Sequence, residues 1–596
     1  MAALFTTPKR NDKTSGAHFV EPDVRRRTLL AHGSWRRVTR RIVVGAVCAL
    51  TVSSLLMPSV SLAAEWVDVD GVRHEAAAGP TGDAAGTWSW NGADDMKLNG
   101  YNGGAITAAG KLNIAYEGTN TVETEPDYTG AAIKAKDGTN QKAELNITSS
   151  NSTDELNVTA EADAIKSTGD LSISGPGTVN TTSTTSDGIE AKGDLSITGS
   201  GTVNSTGGTE GIQSKGKTTI DSSGTVLAKG GEGYGIAAGS DLIVKGGGKV
   251  EASSNEDVAI WADGNIDISG GSQVEASSQE DLAVDAEGSL AITNASLNAA
   301  GVEYGVYGRK GITLDHATVT VRASTGGGWQ TIALITDEDD IVIKNGSIVD
   351  ALAEGGFSAA IASRNYNPGE SGGHIYISDS VIKAIARYAE DGGDGPDHYS
   401  NDQSGVVIPE PRGLNIGIFA QTSEGITPAT ISIVRSKITA EGDTAAIFAL
   451  AMSEDGKAIG TIKIEGAPIQ APAGGKIINY RYEEEYGPSI SYEAGQTIGT
   501  GDATIDSPYD AAVAKSTVIV PPEEIKPEEK PGETKPEGPK SEGTKMTKTV
   551  AVATTGVKAT GKLTATGDTS SAAIVATALA GTAAIAAGAV VSRKRS

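Results

Sequence analysis

The residues best placed to do chemistry are carboxylates that recur. Asp163, Asp187, Glu210, Asp257 and Asp281 each stand two or three residues ahead of an apolar position, at Ile165, Ile189, Ile212, Ile260 and Val284; Tyr234 interrupts the row and Tyr304 ends it. If the apolar positions lie above one another, the carboxylates are spaced by about 5 Å, the distance between paired strands. Charges that close repel unless a cation or a basic neighbour intervenes, and oxygen ligands in a row suit calcium. The plainer reading is a set of Asx turns and solvated corners, as the Asp-Gly of SDGI suggests. Lys166, Lys192 and Lys215 follow the same apolar positions and make a short basic strip. That strip either meets a uronate polymer or neutralises the acidic row.

Catalytic motifs are thin. Gly369 to Gly373 reads GESGG and is followed by His374, but a nucleophile elbow needs a strand-to-helix turn in an α/β sheet, and this stretch lies in a Gly-rich loop. The histidines beyond the leader, His74, His316, His374 and His398, have no metal-site spacing. A lyase would need calcium carboxylates and an Arg base on one face; Arg309, Arg322, Arg364, Arg387 and Arg412 fall near one long insertion.

These residues must be positioned by a repeat. From Ala164 to Ala252 one short text recurs, as in GIEAKGDLSITGSGTVNSTGGTE, and its leading residues Ile165, Ile189, Ile212, Ile236, Ile260 and Val284 are 24, 23, 24, 24 and 24 residues apart. A regular period of this length signals a solenoid. Each unit carries three apolar pulses, such as Ile165, then Leu171 and Ile173, then Val179. Alternation of the type Leu171-Ser172-Ile173 is strand periodicity, and the abundance of Gly and β-branched residues disfavours helix. Strands this short are stable only when each pairs in parallel with its copy in the next unit. The fold expected is all-β: a right-handed parallel β-helix with three short strands per coil of about 24 residues. Leading positions extend outward to Ile106 and Ile133, and onward through Val306, Ile332, Ile361, Ile418 and Ile447. Thirteen coils at ~4.8 Å each make a rod about 60 Å long.

Around the β-helix at 104–470 the chain divides further. Residues 1–63 read as a secretory signal peptide: basic residues through Arg40 and Arg41, the apolar run IVVGAVCALTVSSLLM, and a small-residue exit with cleavage after Ala63 or Ala64. The single cysteine, Cys48, lies in that run, so the mature chain has no thiol chemistry. Residues 64–103 carry Trp66, Trp88 and Trp90 and read as an N-terminal cap, required because an open solenoid end exposes core and strand edges; Trp88 and Trp90 also offer a sugar-stacking platform. The step from Ile361 to Ile418 far exceeds one unit, and long excursions on a rigid scaffold are where function tends to sit. Residues 471–516 read as a C-terminal cap or small β module. Residues 517–562, rich in Pro, Glu and Lys, cannot bury a core and read as a disordered spacer. The chain's net charge is −26, and loss of the basic leader leaves the body more acidic still. Such charge argues against nucleic acid, nucleotide or anionic membrane as partners.

Residues 563–596 resemble the sortase sorting signal of Gram-positive surface proteins, Leu-Pro-x-Thr-Gly. Leu563, Thr564, Ala565, Thr566 and Gly567 are followed by an uncharged run, Ser571 to Val591, long enough to span a bilayer as a transmembrane helix, and then by Arg593, Lys594 and Arg595. Thr564 stands where that family has Pro. The resemblance implies cleavage before Gly567 and attachment of Thr566 to peptidoglycan; a membrane-held tail is the alternative. The stretch LNGYNGGAI with units such as GIEAKGDLSITGSGTVNS is similar to β-helical bacterial surface proteins described as carbohydrate-binding-domain-like. That similarity implies a β-helix akin to pectate lyases, acidic-polysaccharide binding, and calcium in some members. The expected function is a secreted, cell-wall-anchored, non-enzymatic adhesin that binds polysaccharide or a host surface ligand. The alternative is a β-helical lyase or glycoside hydrolase acting on uronate glycans, with its active face near Gly355 to Gly417.

Overall fold

In a computed structural model the described residues run from 63 to 519, excluding 140–141, 325–329, 357, 366–371, 390–414, 423–428, 443–444, 452–460, 466–468, 471–476, 484–486, 494–502, 507–510 and 514–515. The chain divides into two units, Met1–Glu524 and Ile525–Ser596, and every described residue belongs to the first. The signal peptide, the spacer and the sorting residues Leu563 to Gly567 lie outside the described residues.

The first unit is a parallel β-helix. Each coil contributes one strand to each of three sheets, here called leading, second and third in chain order. Ile165, Ile189, Ile212, Ile236, Ile260 and Val284 lie in register, each above the last, in the leading sheet. Ile147, Ile173, Ile197, Ile220, Val244, Ile268 and Ile292 do the same in the second sheet. Val179, Val203, Val226, Val250 and Val274 form the column of the third. All of these are at most 5 % exposed. Alternation places them inward, and burial of each such side chain contributes roughly 1.5–3 kcal/mol. Two residues after each leading position the inward residue is small, as at Ser167, Ala191, Ser214, Ala238 and Ala262, which leaves room for the larger residues of the other two sheets.

The turns are held coil to coil. Asp170 Oδ1 accepts the Asp194 N–H at 2.9 Å, Asp194 accepts that of Lys217 at 2.8 Å, and Asp241 and Asn265 repeat the bond further on. This row of Asx residues satisfies backbone donors that the strand ladders leave over. On the outer face of the third sheet Asn157, Asn180 and Asn204 form an amide ladder with 2.8 Å bonds.

The leading sheet has sixteen strands, of which two at its N-terminal edge and one at its C-terminal edge are joined by antiparallel pairing, leaving thirteen parallel coils among the described residues. Trp66–Val69 lies antiparallel on Ile106–Ala109, with Val67 and Val69 buried, and Trp90, Met96 and Leu98 plug the core behind it. At the other end Ala503–Asp506, Ala511–Val513 and Ser516–Ile519 each lie antiparallel on one of the three sheets. An antiparallel strand blocks further parallel addition at an exposed edge. Among the described residues no helix is long and apolar enough to cross a membrane.

One register differs from the sequence expectation. Leu334, not Ile332, lies above Val306 and below Ile361, while Ile332 lies above Tyr304. The strand Thr331–Thr336 is buried on both faces, so its apolar residues carry no in-or-out alternation from which the register can be read.

Candidate functional site

In the coils that lead from Ile165, Ile189, Ile212 and Ile236 the leading strand is only three residues long, and Gly188, Gly211 and Gly235 stand just before three of them. The chain bends there, bringing the residue two before each leading position to the outer face beside the residue one after it. Contacts confirm that these two columns adjoin: Lys166 Nζ lies 2.6 Å from Asp163 Oδ2, and the Tyr304 and Tyr307 rings lie 6.1 Å apart. Read along the axis, the column before holds Asp163, Asp187, Glu210, Tyr234, Val258, Leu282 and Tyr304. The column after holds Lys166, Glu190, Gln213, Ala237, Trp261, Asp285 and Tyr307.

The acidic end is a buried cluster. Asp163, Asp187 and Glu190 are 6 %, 6 % and 3 % exposed, and each offers an oxygen within 4.8 Å of the others. Lys166 bridges Asp163 and Glu190, and Lys192 also pairs with Glu190. The position a metal ion would take among Asp163 and Glu190 is therefore held by an ammonium group. Asp163 is held below the usual carboxylate range: burial works against its charge, but bonds from Lys166 and Ser186 outweigh it. Asp187 is pushed up to about 8 by burial first, then by its hydrogen bond with Glu210 and that residue's charge.

Of the five carboxylates expected in a row, only Asp163, Asp187 and Glu210 form one. Val258 and Leu282 occupy the corresponding positions where Asp257 and Asp281 were expected, and these two instead accept the N–H of the residue that follows each, at 2.8 Å. The carboxylate that does join, Glu190, was missed because it belongs to the other column. The three lysines do not share a strip either: Lys166 is one residue past its leading position, whereas Lys192 and Lys215 are three past theirs, in the following turn, where Lys192 N–H bonds Ser167 and Lys215 N–H bonds Ala191.

The middle of the face is aromatic. Tyr234 and Trp261, both half-buried, stack with centroids 5.3 Å apart and planes 20° from parallel, and Ala237, Val258 and Leu282, which share their two columns, are all buried. The tryptophans proposed from sequence lie elsewhere. Trp90 is 1 % exposed, with its ring nitrogen donating to Ala93, and is unable to present a ring to a sugar; Trp88 packs on the same core beside His74. The indication that sequence held was columnar: Trp261 stands one residue after a leading isoleucine.

Beyond Asp285 the face closes. Arg364 pairs with Asp337 at 2.9 Å, Tyr307 donates to Asp337 at 3.3 Å, and Tyr304 donates to Gln330 at 2.8 Å. Arg309 bridges Glu287 and Glu338. Burial raises Tyr304 and Tyr307 above the ordinary phenol range. The Arg364 side chain is only 5 % exposed, so this convergence of carboxylates with an arginine is an internal brace. Ile332, Ile335, Ala359, Ala362, Ile416, Phe419, Ala445 and Phe448 then form a separate buried apolar cluster on the outer side. His374 Nδ1 accepts the Thr430 N–H at 3.1 Å, a structural tie; Gly369 to Ser371 and Arg412 lie outside the described residues. Arg322 and Arg387 pair with Asp350 and Glu441 on the third sheet.

Fold and site together define a parallel β-helix with an acidic and aromatic outer face on its leading sheet. No family model matches the chain, and no curated protein or solved structure matches it.

Proposed function

We propose that this protein is a surface-displayed, wall-anchored β-helix that binds polysaccharide along the outer face of its leading sheet without catalysing a reaction. The observation that carries the reading is the Tyr234–Trp261 stack, two half-buried rings packed face to face on a rigid sheet, each keeping one face for another partner. Aromatic faces pack against the C–H faces of sugar rings and add little ordering cost when already fixed, and the coil repeat matches a polymer that presents similar rings in sequence. Export and anchoring rest on the sequence of the leader and tail. A cut after Ala63 leaves every core residue from Ala64 onward in the mature chain, in keeping with that reading.

The test is a glycan array probed with the purified full chain and with Trp261→Ala. Binding to at least one polysaccharide class, lost in the variant, supports the proposal; equal retention by both proteins, or no binding at all, refutes it. Cell fractionation of wild type and Thr566→Ala tests the anchor: the variant should leave the peptidoglycan-linked fraction.

A further inference from the structure

We propose that the Tyr234–Trp261 surface selects a cationic amino-sugar polymer, one whose rings carry free amines, over neutral and uronate polymers; this rests on the polysaccharide reading above. The argument is charge complementarity about a fixed aromatic pair. Trp261 is in register with Asp285 in the next coil, a carboxylate only 5 % exposed, and Glu210, hydrogen-bonded to Asp187, occupies Tyr234's column one coil earlier, so acidic positions flank the ring positions at about one strand spacing, ~4.8 Å, on each side. Further along the strip come Asp187 and Glu190. The cations nearby are engaged: Lys166 and Lys192 by Asp163 and Glu190, Arg309 by Glu287 and Glu338. A uronate placed on the rings therefore meets carboxylates, and the chain's net charge of −26 repels a polyanion before contact.

An ammonium group next to a stacked ring gains twice, from the negative face of the aromatic system and from a neighbouring carboxylate. Burial, and then the hydrogen bond and charge of Glu210, push Asp187 up to about 8, as expected where carboxylates crowd together.

The experiment measures binding of the purified full chain at pH 6 to glucosamine oligomers, the same oligomers N-acetylated, a neutral glucan oligomer, oligogalacturonate, and polylysine of matched charge. Glucosamine oligomers should bind at least tenfold more tightly than any other sugar. Trp261→Ala should cost tenfold or more, Trp261→Phe should restore most of it, and Glu210→Gln should weaken the amine oligomer severalfold while leaving any N-acetylated binding unchanged. Equal binding of amine and N-acetylated forms, or preference for galacturonate, overturns the selectivity while leaving polysaccharide binding intact; no sugar binding overturns both. Equal binding of polylysine, insensitive to Trp261→Ala, reduces the effect to bulk charge and overturns the proposal. A melting temperature within a few degrees of wild type in each variant separates loss of site from loss of fold.

Discussion

Tyr234 and Trp261 come from successive coils and stack 5.3 Å apart, because Tyr234 stands two residues before one leading isoleucine, Ile236, and Trp261 one residue after the next, Ile260. No pairing of these two is visible along the chain. It exists only because two outer columns adjoin where the chain bends.

Trp90, which the sequence offers as part of a sugar platform, is a core residue, and Trp261 stands on the outer face. Trp90 is sealed in the N-terminal core, so Trp90→Ala should cost about 3–5 kcal/mol, read by urea denaturation, with sugar affinity per folded molecule unchanged. Trp261→Ala should show the reverse, a small stability change and lost binding.

The acidic cluster gives stability a two-sided pH dependence. Asp187 has a folded pKa of about 8 against an ordinary 3.8. Between those values the folded state holds a proton that the unfolded state has released, so stability falls as pH rises from about 4 to 8. Asp163 is shifted the other way; its contribution is present above 3.8 and is lost as pH falls through its lower folded value. Asp187→Asn should flatten the alkaline side only, as measured by melting temperature from pH 3 to 9.

The brace at the closed end depends on burial, not on the number of ion pairs. Asp337→Ala removes a carboxylate partner from Arg364, whose side chain is 5 % exposed, and should cost about 3 kcal/mol. The bidentate Arg435–Asp379 pair is geometrically better, with two 2.7 Å bonds, yet lies at the surface. Asp379→Asn, which keeps a side chain tolerated at the left-handed backbone there, should leave the denaturation midpoint within error, since solvent screens exposed pairs.

Coil-to-coil contact leaves no room at one turn glycine. A Cβ on Gly224 would stand 1.9 Å from the Gly201 carbonyl oxygen, a backbone atom unable to move aside without breaking the ladder. Gly224→Ala should lower the melting temperature by several degrees, whereas Gly346→Ser, whose Cβ meets nothing, should cost only the smaller strain of a left-handed turn.

Much of the fold was legible because the period is carried by the residues that are buried. Ile165 through Val284 repeat at nearly constant spacing, and burial of one face demands that register. Legibility failed at Ile332, where the outer face is apolar as well and either alternate residue satisfies the core. It failed again at Asp257 and Asp281, whose distance to the leading residue differs from that of Asp187 by one position, enough to move a carboxylate from the strip into a turn cap.

The sequence by itself determined the coil, its three strands and its inward columns, since hydrophobic burial is periodic and local spacing encodes it. Only the tertiary structure decided which outward residues meet. Outer neighbours such as Asp187 with Glu210, or Tyr234 with Trp261, lie about one period apart and are brought together by a bend of the backbone that no hydrophobic period records.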